Sequence, residues 1–195
     1  MPTESDATRA SLILRAKESD SRAWNELVDL YGPLIAHWCQ RCGLNVHQTA
    51  DGVQEVFASV ARNLDKYEAK RANGAFRSWL WTITSNQVKD FYRRSKQLPN
   101  VAGGSTALFN LEQIPEASIP VNEPTSDEQM SELVARGLEQ VRAEFEPRTW
   151  EVFQRAVVDQ IATAIVAKEF ALSTAAVRQI RSRVLRRLRQ QLGDI

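Results

Sequence analysis

The side chains best suited to chemistry lie near the end of the chain. Arg178, Gln179, Ser182, Arg183 and Arg186 share one side of a helical wheel, and Thr174 begins the same segment. From Phe170 to Leu192 there are six arginines and no acid. Guanidinium groups along one helix bind phosphate oxygens, and Arg or Gln among them can pair with a base edge. This is recognition chemistry rather than catalysis. No Ser/His/Asp set, phosphate-cradling glycine loop or metal constellation stands out. His37, Cys39, Cys42 and His47 invite a zinc reading, since Cys-x-x-Cys is half a site. On a continuous helix His37 and Cys39 point about 200° apart. There is no second cysteine pair, so no metal or other cofactor is expected.

The elements that must present the arginines can be read around them. Val177, Ile180, Val184, Leu188 and Leu192 form an apolar stripe opposite the basic face. Ser173 can cap this final helix. A short helix from about Ala162 to Phe170 precedes it, with Ala171-Leu172-Ser173 as the turn. A short helix, a tight turn and a capped second helix are how a recognition helix is presented to the major groove. The stripe is expected to leave the arginines facing outward, with Arg181 near the apolar edge.

Upstream the pattern is helical almost throughout. Leu12, Ile13 and Ala16 start a short amphipathic helix. Trp24, Leu27, Val28, Tyr31, Ile35 and Trp38 follow, with a kink expected at Gly32-Pro33 and a stop at Gly43. Thr49 is expected to cap the next helix. There Val53, Val56, Phe57, Val60 and Leu64 share one face, and Asp51, Gln54, Glu55 and Arg62 the other. Asp65 to Ala75 reads as a polar loop containing Asn73-Gly74. A long helix is expected from about Phe76 to Ser95. Its inner face is Phe76, Trp79, Leu80, Ile83 and Phe91. Its opposite face carries Trp81, Ser85, Asn86, Lys89, Tyr92 and Arg93. Aromatics exposed among cations would suit single-stranded nucleic acid. The other reading is a second packing surface, with Trp81 and Tyr92 against the neighbouring helix.

Gln97 to Thr125 holds Pro99, Gly103-Gly104, Pro115, Pro120 and Pro124, and reads as an extended or disordered linker. Ser126 and Gln129 then fit a capping box, and Pro147 suits the first turn of a further helix. The expected fold is all-α. Two small helical domains, residues 1–96 and 126–195, are joined by a flexible linker over 97–125, and the C-terminal one is a helix-turn-helix.

Bulk composition agrees. The chain has 195 residues, 43% hydrophobic and 25% charged, with a formal net charge of +1. The basic C-terminal helix is offset by upstream acids, so the charge is directional rather than general. No apolar run reaches the ~20 residues that span a bilayer. The acidic N-terminus lacks a signal-peptide pattern, so a cytoplasmic protein without membrane attachment is expected.

Three segments resemble the extracytoplasmic-function sigma factors, the small two-domain branch of the sigma-70 family. Asp51-Gly-Val-Gln-Glu-Val-Phe57 is similar to the D-x-V-Q-E-x-F of region 2.2. The run from Phe76 to Asn86 is similar to the F-R-x-W-L-x-x-I-x-x-N of regions 2.3 and 2.4. The run from Val166 to Val177 is similar to the region 4.2 helix-turn-helix. The resemblance implies a function: directing core RNA polymerase to specific promoters by reading −35 duplex and melted −10 DNA. It implies that Asp51, Gln54 and Glu55 dock on the β′ clamp helices. It implies −10 contacts from Lys66, Asn73, Trp81, Asn86, Lys89, Arg93 and Arg94, with a base captured by the 65–75 loop and Asn86. It implies −35 contacts from Thr174, Arg178, Gln179, Ser182, Arg183 and Arg186. Core polymerase (clamp helices and β flap), promoter DNA and an anti-sigma factor are the partners it suggests. Three positions depart from the pattern. Ala171 replaces the frequent turn glycine, so an αR-like or reshaped turn is expected. Ile180 replaces a frequent arginine. Gly52 should cost its helix roughly 1 kcal/mol of propensity.

Other classes fit less of the chain. A free-standing helix-turn-helix regulator leaves the Asp51 face and the Asn86 helix without a role. A polymerase adaptor that ignores DNA leaves the arginine helix without one. An enzyme has no visible catalytic set.

Overall fold

The computed structural model describes residues 11–68, 74–97 and 119–193. Among the described residues every regular element is helical, as expected for an all-α fold. The N-terminal part comprises α1 (Leu12–Lys17), α2 (Ser21–Arg41), α3 (Val46–Asn63) with a 3-10 turn at Leu64–Lys66, and α4 (Ala75–Gln97). The C-terminal part comprises α5 (Asp127–Arg142), α6 (Pro147–Phe153, continued as a π turn over Gln154–Val158), α7 (Thr163–Glu169) and α8 (Thr174–Gln191). No described helix is long and apolar enough to cross a membrane.

Local signals set most boundaries. The Asp20 carboxylate accepts from the backbone N–H groups of Arg22 and Ala23 and starts α2. The helix runs on through Pro33 to Arg41. It ends where Gly43 takes φ +91°, with Gly43 N–H donating to Gln40 O and Leu44 N–H to Cys39 O. The cap of α3 differs from expectation. Asn45 and Gln48 form a capping box, while Thr49 is buried inside the helix and its hydroxyl donates to Leu44 O. Asn competes well at a cap, and Thr49 lies four residues into the same turn. Ser126 with Gln129 caps α5 as expected, and Ser173 accepts from Ala176 N–H to cap α8.

The helix-turn-helix turn also departs from expectation. Ala171 sits at φ +52°, in the left-handed region. Its N–H donates to Lys168 O and that of Leu172 to Ala167 O, the same double closure as at Gly43. The turn is therefore not αR-like. The two closing bonds hold an alanine where glycine would be unstrained.

Two cores result. The larger gathers Leu12, Leu27, Tyr31, Ile35, Trp38, Val56, Phe76 and Leu80, and also takes in Ile119 and Leu133 from beyond the proline-rich segment. The smaller joins Val152, Val166, Ala167 and Val177 under the helix-turn-helix. Part of the sequence-assigned linker is thus fixed. Ile119 is buried, Glu123 pairs with Arg77, and the Trp38 indole donates to Thr125 Oγ1. The rest of that segment lies outside the described residues.

Candidate functional site

On α8 the apolar stripe goes inward at Val177, Val184 and Leu188, with Ile180 half-buried. Thr174, Arg178, Gln179, Ser182, Arg183 and Arg186 are all exposed, on a helix whose N-terminus is set by Ser173. Arg181 and Arg189 are exposed as well. The Arg183 guanidinium lies 5.7 Å from the Phe145 ring centroid, which supports it from one side while leaving its edge open. Arg187 breaks the outward rule. It is 7% exposed, and its Nε and Nη2 donate to the two Glu144 oxygens at 2.7 and 2.8 Å. Its Nη2 also donates to Gln191. A helical wheel places Arg187 about 20° from Ile180, on the apolar side, so its burial was legible there. A further signal was available in Glu144, which follows the α5 stripe and needs a partner once buried.

The α3 polar face is likewise open, with Asp51, Gln54 and Glu55 exposed above buried Val56, Phe57 and Val60. These side chains form one wall of a groove of about 420 Å³ between α3 and α4. Gln87, Val88, Phe91 and Arg94 form the other wall, over Cys39 and Leu44. Arg94, assigned from sequence to the −10 backbone, therefore stands beside the Asp51 face. Gly52 lies on the packed side of α3. A Cβ there would lie 3.4 Å from both Cys39 Sγ and Leu44 Cδ2, an ordinary contact, so the packing of α3 on the end of α2 does not itself demand the glycine.

On α4 the structure corrects the exposed-aromatic reading. Trp81 is 4% exposed and packs edge-on to Trp38 at 5.5 Å between ring centroids. Tyr92 is buried with its hydroxyl donating to Cys42 O at 2.6 Å, and Ser85 is buried with its hydroxyl donating to Thr82 O. The reason is that α4 packs on both α2 and α3, so its second aromatic face meets protein rather than solvent. As placed here, Trp81 offers no ring face for a base to stack on. Asn86, Arg93 and Arg94 remain exposed and Lys89 is half-buried. Arg93 is paired with Asp90. Lys66 is exposed in the 3-10 turn, and the adjoining backbone is tied to α1 by Lys17, whose ammonium donates to Tyr67 O. Asn73 lies outside the described residues.

The cysteine-histidine set does not converge. Cys39 and Cys42 are buried, His37 pairs with Gln129, and His47 is exposed. Burial, with a smaller contribution from Cys42, pushes the Cys39 thiol up to about 12. Burial also raises the Cys42 thiol, opposed by Arg41. Raised thiols are poor metal ligands and poor nucleophiles. Among the described residues no group of three or more His, Cys, Asp or Glu side chains could hold a metal ion.

Comparison with known proteins places a likeness on the N-terminal part. The sigma-70 region 2 model matches residues 27–97, which carry Asp51, Gln54, Glu55 and Asn86. The chain is 33% identical over 84 residues to the ECF RNA polymerase sigma factor SigW of Bacillus subtilis, covering 43% of each chain. It is 26% identical over 121 residues to the RNA polymerase sigma factor NccH of Alcaligenes xylosoxydans xylosoxydans, covering 62% of this chain and 60% of that one. It is 32% identical over 88 residues to the RNA polymerase sigma factor CnrH of Cupriavidus metallidurans, covering 45% and 44%. The matched stretch thus spans about half the length of these relatives. Residues 27–97, which span most of α2 and all of α3 and α4, are similar to sigma-70 region 2.

Proposed function

We propose that this protein is a sigma factor that joins core RNA polymerase and directs it to specific promoters. The observation that carries the reading is the pairing of a region 2 with a separately cored helix-turn-helix whose recognition helix is basic and exposed. Residues 1–96 act as region 2 and 126–195 as region 4, with 97–125 between them. Asp51, Gln54 and Glu55 dock on the β′ clamp helices, where an acidic helix face meets a charged partner. Region 4 docks near the β flap. Arg178, Arg183 and Arg186 bind phosphates of the −35 duplex, and Gln179 and Ser182 reach base edges. Asn86 and the 65–75 loop hold an extruded base of melted −10 DNA, with Lys66, Lys89 and Arg93 on the backbone. The protein performs no chemistry of its own. It acts where polymerase acts, and an anti-sigma factor is a fitting regulator.

The test is transcription by core polymerase from a promoter library, with and without the protein. Protein-dependent start sites are expected. They should be lost with Asp51→Arg plus Glu55→Arg, and should lose −35 dependence with Arg178→Ala plus Arg183→Ala. Sequence-specific duplex binding with no new start sites would instead establish a free-standing regulator.

A further inference from the structure

Two adjacent residues at the α5–α6 junction face two arginines one turn apart on α8. Glu144 takes Arg187 through both carboxylate oxygens, and the Phe145 ring lies against Arg183. The backbone fixes both positions: Glu144 N–H donates to Val141 O and Phe145 N–H to Arg142 O, closing the end of α5. The Phe145 ring is itself supported. Its centroid is 6.4 Å from that of Trp150, and Trp150 is 5.4 Å from Phe153, which is buried. A row of rings thus runs from the interior of the C-terminal part out to Arg183.

The two contacts do opposite things to their arginines. The carboxylate neutralises Arg187 and takes the edge of its guanidinium, and burial keeps the group from any phosphate. A ring takes only the face of a guanidinium. Arg183 therefore keeps its full charge, and its N–H donors, which lie in the guanidinium plane, stay available. Among the described residues no hydrogen bond or ion pair engages Arg183, and it is the one exposed arginine of α8 that an aromatic ring holds. An arginine that waggles in solvent gives up rotamer freedom when it docks on DNA. One already resting on a ring gives up less.

We propose that Phe145 is a positioning residue for DNA recognition: backed by Trp150, it holds the Arg183 guanidinium with its edge toward the −35 duplex before binding. This rests on the reading of α8 as the helix that meets that duplex. Phe145 touches no DNA in this role and acts through Arg183.

The experiment is a double-mutant cycle in promoter binding. Full-length variants are combined with core polymerase, and binding to a labelled promoter that the wild type activates is measured over a salt series. Phe145→Leu should weaken binding about two- to fivefold, the worth of one cation–π contact. Its salt dependence should stay as in the wild type, because the charge of Arg183 remains. Phe145→Tyr keeps the ring and should restore what Phe145→Leu loses. Arg183→Ala should weaken binding and lower the salt slope by about one counterion. In the Arg183→Ala background, Phe145→Leu should then cost nothing more, which a ring serving only the fold would not give. Equal losses from Phe145→Leu with and without Arg183, or no loss in either, overturn the positioning role and leave the sigma reading standing. A wild type that binds duplex but activates no promoter overturns the sigma reading, and the same cycle on the free chain with duplex then decides the role of Phe145. A wild type that binds no duplex, alone or with polymerase, overturns both.

Discussion

Helices α4 and α8 were both expected to touch DNA, and they turned out differently. On α8 the residues opposite the apolar stripe are exposed, and the buried Arg187 lies beside the stripe. On α4 the face opposite the first apolar stripe is largely buried, and only its polar members reach solvent. The difference lies in the neighbours. No described helix covers the far side of α8, and arginine resists burial unless paired. The far side of α4 meets α2 and α3, and Trp and Tyr gain from burial once their polar atoms are satisfied. A charged stripe therefore reports its own exposure, whereas an aromatic stripe does not.

The strongest challenge to this comparison is Trp81→Ala. If Trp81 is core, denaturant unfolding should show a loss of about 3–5 kcal/mol. Asn86→Ala, on the exposed side of the same helix, should stay within about 0.5 kcal/mol. Equal and small effects would return Trp81 to the surface.

On α8 the counterpart is Glu144→Ala, which leaves the buried Arg187 without its carboxylate. A loss of about 3 kcal/mol is expected, against almost none for Arg183→Ala, read from paired melting curves. An inert Glu144→Ala would make Arg187 one more outward arginine.

A third test sets the thiol-containing N-terminal core apart. Cys39 titrates near 9 when unfolded and is pushed up to about 12 when folded. The neutral thiol is therefore favoured by the fold. Its contribution is complete below pH 9 and is lost as pH rises from there through 12. By pH 10 this amounts to about 1.4 kcal/mol, a loss that Cys39→Ala should not show in a pH series of unfolding curves. The same burial should make Cys39 slow to alkylate in the native protein.

The smallest expected effect concerns the turn before α8. Ala171→Gly should stabilise the protein by about 1 kcal/mol, because glycine takes the left-handed conformation without the Cβ clash. The same replacement at Ala175, inside α8 and exposed, should destabilise by a similar amount. If both destabilise, the turn is not left-handed in solution.

The sequence by itself determined the helical elements, because apolar spacing, capping residues and prolines act within a few residues of one another. Ser126 with Gln129, Ser173 and Gly43 were legible for that reason, and so were the α3 polar face and the α8 basic face. Thr49 was misread because two cap-forming residues, Asn45 and Thr49, lie within one turn, and the choice depends on which satisfies the free N–H groups best. Other features were decided by tertiary structure alone: the burial of Trp81 and Tyr92, and the pairing of Arg187 with Glu144. Each depends on a partner far away in the chain, and the balance of desolvation against pairing is set only when that partner arrives.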